Sequence, residues 1–81
     1  TQVRYWAAAK EAAGVPADQV SASFLDAALT QVRARHSDRF STVLQRCSFV
    51  VDGDPVGGRD HATIVLADDS LVDVLPPFAG G

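Results

Sequence analysis

Gln2-Val3-Arg4-Tyr5-Trp6-Ala7-Ala8-Ala9-Lys10-Glu11-Ala12-Ala13-Gly14-Val15-Pro16 runs from a strand pattern into a helix pattern and then stops. Polar and apolar residues alternate around Val3 and Tyr5 among β-formers, which predicts a first strand over Gln2 to Trp6. Ala7 to Ala13 holds strong helix formers throughout. Gly14, with Pro16 just past it, supplies the C-terminal glycine and the proline that end a helix. The strand is handed to the helix with no loop between. Asp18 to Ala22, with Val20 in a polar setting, is expected to be a second short strand paired with the first.

The strongest helix signal starts at Ser23, which is expected to cap the free N–H groups of the first turn, with Asp26 three residues on favouring the positive end of the helix dipole. Leu25, Ala28, Leu29 and Val32 then share one face. Asp26, Thr30, Arg33, Arg35 and His36 fall to the exposed side and the C-terminal end. This helix is expected to lie across a sheet. Ser37-Asp38 can start another short helical turn that carries Phe40, Val43 and Leu44 onto one end of the core. Cys47 to Val51 is apolar and β-rich, and Asp52-Gly53 is a turn signal before Pro55-Val56, so a central strand and a hairpin are read here. Gly57-Gly58 and Asp60 mark a loop, His61 to Ala67 holds a short apolar segment, Asp68-Asp69-Ser70 makes a last turn, and Leu71 to Leu75 is the final strand. The order β, short α, β, α, turn, β-hairpin, β predicts an α+β layer: a β-grasp roll with a mixed sheet and one main helix packed across it.

The chain has 81 residues, 47% hydrophobic and 21% charged, which suits one small domain with a modest core. No apolar run approaches the roughly 18 to 20 residues that span a bilayer, so no membrane association is expected. The opening lacks the basic start and apolar stretch of a signal peptide, and the single cysteine excludes an internal disulfide; a cytoplasmic location is expected. The net charge is -3, and the basic residues Arg4, Lys10, Arg33, Arg35, Arg39, Arg46 and Arg59 are scattered, which argues against nucleic acid as a partner.

The chemistry of the sequence is concentrated at its end. Leu75 is followed by Pro76-Pro77-Phe78-Ala79-Gly80-Gly81. Two prolines remove two backbone donors and favour extended geometry, so residues 76–81 are expected to project from a domain that spans 1–75. Glycine has no Cβ, so a Gly-Gly end can thread a narrow channel in a partner. The Gly81 carboxylate is unreactive at neutral pH, and covalent use of it calls for activation, for which an acyl adenylate made from a partner's ATP is the obvious route. The stiff prolines reduce the entropy lost when such a tail is bound, and Phe78 offers an apolar anchor beside it.

Elsewhere the readings are structural. Cys47 sits in an apolar strand pattern and reads as core packing. His36 and His61 lack a second ligand or a nucleophile in pattern. Asp52, Asp54, Asp60, Asp68 and Asp69 lack EF-hand spacing and stand at turns, where Asp is common for local reasons, so no metal site is expected. Gly57-Gly58 belongs to neither a P-loop nor a dinucleotide fingerprint, so no cofactor is expected on this chain.

Three stretches together resemble the MoaD/ThiS family of ubiquitin-like sulfur carriers, most of all its molybdopterin synthase branch. They are the strand into Ala7-Ala8-Ala9-Lys10-Glu11-Ala12-Ala13-Gly14, the helix from Ser23 with Ser37-Asp38-Arg39-Phe40 behind it, and Val72-Asp73-Val74-Leu75-Pro76-Pro77-Phe78-Ala79-Gly80-Gly81. The last is the specific motif. Two turns depart from the family pattern: Asp68-Asp69-Ser70 replaces Asp-Gly-Asp, and Asp52 stands where Asn is common. The resemblance implies a non-catalytic carrier subunit of a sulfurtransferase complex, working in molybdenum cofactor biosynthesis. Gly81 would become an acyl adenylate and then a thiocarboxylate, and Pro76, Pro77, Phe78, Ala79 and Gly80 would be held by partners. The implied partners are an E1-like adenylating enzyme that uses ATP, a sulfur donor system and the large subunit of molybdopterin synthase. The neighbouring readings are a carrier for thiamine or cysteine synthesis, a ubiquitin-like protein modifier, and a plain binding module. The acidic body is expected to favour basic partner surfaces.

Overall fold

The computed structural model describes residues 1–77, and Phe78, Ala79, Gly80 and Gly81 lie outside the described residues. Five strands form one sheet in the order β2-β1-β5-β3-β4. The first strand, β1 (Gln2–Tyr5), is followed by helix α1 (Ala7–Ala13) and strand β2 (Ala17–Gln19). Helices α2 (Leu25–Arg35) and α3 (Asp38–Leu44) come next, then β3 (Ser48–Val51), the two-residue β4 (Asp54–Pro55), a 3-10 turn at His61–Thr63, and β5 (Leu71–Leu75). The last strand in sequence is the middle strand in space. It pairs parallel with β1, matching Gln2 to Leu71 and Arg4 to Asp73, and antiparallel with β3, matching Ser48 to Leu75. This is the ubiquitin-like β-grasp, with one mixed sheet and its helices on one face.

Alternation along the strands sends Val3, Tyr5, Phe49, Val51, Val72 and Val74 to the helix side, where they join Leu25, Ala28, Leu29 and Val32 of α2 and Phe40 and Leu44 of α3 in one buried cluster. Arg4, Asp73, Leu75 and Ser48 therefore face the other way. Gly14 ends α1 at φ 77°, a left-handed cap that glycine reaches without a Cβ penalty, and its N–H donates to the Lys10 carbonyl.

Several expected boundaries need correction. Trp6 leaves β1 and becomes the residue before α1, because Ala7 turns the chain at φ 48°. The second strand spans Ala17–Gln19 rather than Asp18 to Ala22; Val20 lies beyond it and is buried. Ser23 does not cap α2. Its carbonyl accepts from the Leu66 N–H at 2.8 Å, Phe24 bridges to Val65, and the Leu25 N–H donates to the Ile64 carbonyl at 2.9 Å. A distant segment thus takes the donor that a cap would have satisfied. His36 is not on the exposed side: its ring packs between Tyr5 and Phe40, with centroids 5.9 and 4.8 Å away.

Both departing turns close by their own side chains. Asp52 and Gly53 have φ of 51° and 82°, the pair of positive values that a tight hairpin needs, and the Asp52 carboxylate accepts from the Leu71 N–H at 2.8 Å. At Asp68-Asp69-Ser70, the buried Ser70 hydroxyl accepts from the Ala67 N–H at 2.8 Å.

Candidate functional site

The site is built from where β5 ends. Val72 and Val74 are fully buried and fix the strand's inner face, so Asp73 and Leu75 are committed to the outer face and Pro76-Pro77 continue from the centre of the sheet. The parallel register sets Arg4 of β1 directly beside Asp73. Arg4 donates twice, from Nε to Asp73 Oδ1 at 2.8 Å and from Nη2 to Oδ2 at 3.1 Å, a forked pair. The Trp6 indole Nε1–H donates to the same Oδ1 at 2.9 Å, and the Arg4 guanidinium lies 5.3 Å from the Trp6 ring centroid. The hydrogen bonds from Arg4 hold the Asp73 carboxyl below the usual carboxylate range against the opposing effect of partial burial, and the Trp6 bond and the Arg4 charge add to them.

Trp6 is nevertheless 45% exposed, and Leu75 is 36% exposed. Between them lies an open groove of about 540 Å³, lined by Trp6, Ala7, Ser48, Leu75, Pro76 and Pro77 among others. Serine is the one polar side chain among these six. Of the residues singled out in the sequence, Pro76 is half-buried and Pro77 exposed, both at this groove, whereas Phe78, Ala79, Gly80 and Gly81 are outside the described residues. Sequence reasoning missed Arg4, Trp6 and Asp73. The available signal was the shared outer parity of Arg4, Trp6 and Asp73, which becomes visible only once β1 and β5 are known to be parallel neighbours.

The remaining candidates have structural roles. Cys47 is half-buried, its Sγ donates to the Val43 carbonyl at 3.3 Å, and burial pushes its thiol pKa up, which opposes thiolate formation. His61 packs edge-on against Phe49 at 5.3 Å. His36 shares Asp18 with Tyr5, with Nε2 2.6 Å and the phenol oxygen 2.7 Å from Oδ2. Burial first, and then the bond to Asp18, drives the Tyr5 phenol far above its ordinary pKa. Among the described residues, no three His, Cys, Asp or Glu side chains are grouped to hold a metal ion, and no helix is long and apolar enough to cross a membrane.

Comparison with known proteins agrees with this fold. A family model described as the ThiS family matches residues 3–81. The small archaeal modifier protein 1 of Methanosarcina acetivorans superposes with a TM-score of 0.83 at 18% identity, covering 99% of this chain and 94% of that one. The same-named protein of Haloferax volcanii gives 0.80 at 18% identity, covering 99% and 97%. A complex of subunits 1 and 2 of the molybdopterin-converting factor from Helicobacter pylori gives 0.72 at 20% identity, covering 99% and 96%. At these identities the likeness is one of fold. No curated protein matches the chain.

Proposed function

We propose, because this chain belongs to the ThiS family and is a ThiS/MoaD-like sulfur carrier or ubiquitin-like modifier, that it is the sulfur-carrier subunit of a molybdopterin synthase and works through the Gly81 carboxylate. The observation that carries the reading is the join of structure and sequence at one place. The central strand β5 runs out through Pro76-Pro77 beside an exposed apolar groove, and the sequence beyond reads Phe78-Ala79-Gly80-Gly81. The body presents the tail; the tail carries the chemistry.

The cycle follows from carboxylate chemistry. A Gly81 carboxylate oxygen attacks the α-phosphorus of ATP held by an E1-like adenylating enzyme, and pyrophosphate leaves. Hydrosulfide equivalents from a sulfur donor system then attack the acyl carbon, AMP leaves, and a thiocarboxylate remains. In the large subunit, that sulfur attacks a carbon of the pterin precursor and displaces an oxygen leaving group, which departs with the C–O bonding pair, and water then cleaves the resulting thioester to release the precursor's new thiolate and restore the Gly81 carboxylate. The narrow Gly80-Gly81 end suits passage into those partner sites, and Pro76-Pro77 lower the entropic cost of holding it there. ATP belongs to the activating enzyme and is consumed as its substrate. The Helicobacter pylori complex supports the large-subunit partner by likeness of fold.

Intact mass tests this directly. The purified chain is incubated with ATP, a molybdopterin-pathway adenylating enzyme and a sulfur donor, beside a chain lacking Gly81. Replacement of one oxygen by sulfur in the full-length chain alone is the expected result. No change with an enzyme active on its own carrier would move the reading to a carrier for thiamine or cysteine synthesis, or to a binding module. The two archaeal modifier structures favour a second reading, a protein modifier joined through Gly81 to lysines. Lysine-linked adducts in the same reaction mixture supplied with protein acceptors would single it out.

A further inference from the structure

A second cavity, of about 320 Å³, lies where α2, the end of α3 and the start of β3 meet Gly57 and His61. Its volume is at the lower end of those that hold small ligands, about 300 to 1,000 Å³. The apolar part of its wall is Leu29, Leu44 and Phe49, all buried. The polar part includes Arg33, Gln45, Cys47 and His61, and no Asp or Glu is among the lining residues, although the chain carries ten acidic residues against seven basic ones. Arg33 is the charged member. Arg4, Arg35, Arg39 and Arg59 each pair with a carboxylate. Arg33 pairs with none among the described residues, where its guanidinium donates to Thr30 Oγ1 at 3.2 Å. We infer that this cavity binds a small free carboxylate with an apolar body, the carboxylate held by Arg33 and the body set against Leu29, Leu44 and Phe49.

The chemistry of the lining selects that class. A guanidinium presents a planar fork of donors that matches a carboxylate, and the apolar wall beside it favours a guest that releases water from Leu29, Leu44 and Phe49. Nothing negative opposes the guest from the cysteine, because burial pushes the Cys47 thiol pKa up and its Sγ–H donates to the Val43 carbonyl. The carbonyls at the end of α3 are occupied too. The Cys47 N–H donates to the Leu44 carbonyl at 3.1 Å and the Arg46 N–H to that of Val43 at 3.0 Å, so the negative end of that helix is partly satisfied. A single Asp or Glu side chain from a partner protein would leave most of such a volume unfilled, which favours a free molecule. Ser48 borders both this cavity and the groove at Pro76-Pro77, and it pairs with Leu75, so the occupant sits one strand away from the point where the chain leaves the sheet. No step at Gly81 enters the inference, and it stands apart from the carrier reading.

The test titrates the isotope-labelled full chain with sodium benzoate at neutral pH and fixed ionic strength, following backbone amide shifts by NMR. Saturating shifts at Gln45, Cys47, Ser48 and Gly57 are expected, with half-saturation at about 1 to 10 mM. Benzamide keeps the ring without the charge and acetate the charge without the ring; each is expected to bind at least about 10-fold more weakly. Arg33→Gln, at an exposed position, is expected to raise half-saturation for benzoate about 10-fold, and Arg33→Lys, which keeps the charge without the fork, about 3-fold. Arg46→Gln removes a neighbouring charge outside the lining and is expected to change it less than about 2-fold. Lack of saturation by about 50 mM benzoate, or equal binding of benzamide by the wild-type chain, overturns the site whatever the variants do. Equal losses in Arg33→Gln and Arg46→Gln overturn it as well, since they would mark diffuse charge attraction, and acetate binding as tightly as benzoate overturns the apolar body.

Discussion

Asp18 gathers three partners around one carboxylate: the Tyr5 hydroxyl at 2.7 Å, His36 Nε2 at 2.6 Å and the Arg35 guanidinium at 3.7 Å. An ionised carboxylate only accepts, so His36 Nε2 carries a proton toward it. Burial alone would raise the Asp18 carboxyl, but the His36 and Tyr5 hydrogen bonds and the neighbouring His36 and Arg35 charges outweigh it and leave the pKa below its ordinary 3.8. Asp73 is lowered as well. A carboxyl depressed in the folded state adds stability that is fully present above the unfolded value and is lost as pH falls through the folded one, so the acid limb opens near pH 4 and deepens below it. Asp18→Asn places amide hydrogens against groups that donate. It is expected to cost about 1 to 3 kcal/mol in urea unfolding at pH 7 and to flatten the fall in stability between about pH 5 and pH 2. Ala7→Gly acts in the other direction. It releases a left-handed strain of about 1 to 2 kcal/mol against a gain in unfolded-chain freedom of about 0.4 to 1, so a net stabilisation of about 0.5 to 1 kcal/mol is expected in the same assay.

At the scale of elements, the two serines read as helix caps behave differently. The Ser37 hydroxyl accepts from the Phe40 N–H at 3.3 Å and starts α3, whereas Ser23 is exposed and its carbonyl is engaged with Leu66. Ser37→Ala is expected to lower stability by about 1 kcal/mol and Ser23→Ala to stay within about 0.5, measured side by side by thermal or urea unfolding. This contrast marks what the sequence makes legible. Features set by neighbours a few residues away were readable: the Gly14 stop, the Asp52-Gly53 hairpin, the buried face of α2, and β5 to both of its ends. Features set by distant pairing were not. Ser23 loses its capping role to a segment more than 40 residues away, and His36 is drawn inward by Tyr5, Asp18 and Phe40 from three other elements. The site divides in the same way. Pro76-Pro77 announces itself in sequence, but the Arg4–Asp73–Trp6 cluster beside it joins residues 67 to 69 positions apart, and only the parallel register of β1 and β5 brings them together.

For the whole molecule, a net charge of -3 on a body measuring 32 × 26 × 17 Å gives a weak, long-range pull toward basic surfaces. Association with the proposed adenylating partner is expected to slow several-fold between about 50 and 500 mM NaCl in stopped-flow fluorescence, because a Debye length near 10 Å at 0.1 M already screens much of that field. A salt-independent rate would place recognition wholly in short-range contacts such as the groove. The placement of β5 has a mechanical side as well. The strand that leads into the tail is flanked by β1 in parallel and β3 in antiparallel alignment, so a pull on Pro76 against an anchor at Gln2 draws two neighbouring strands past each other. Under such a load, the β1–β5 hydrogen bonds bear force together rather than opening one by one. On the proposed carrier reading, the tail is drawn out of a partner site with the body as its handle, and the strain falls on the β1–β5 seam, where Val3, Tyr5, Val72 and Val74 are buried.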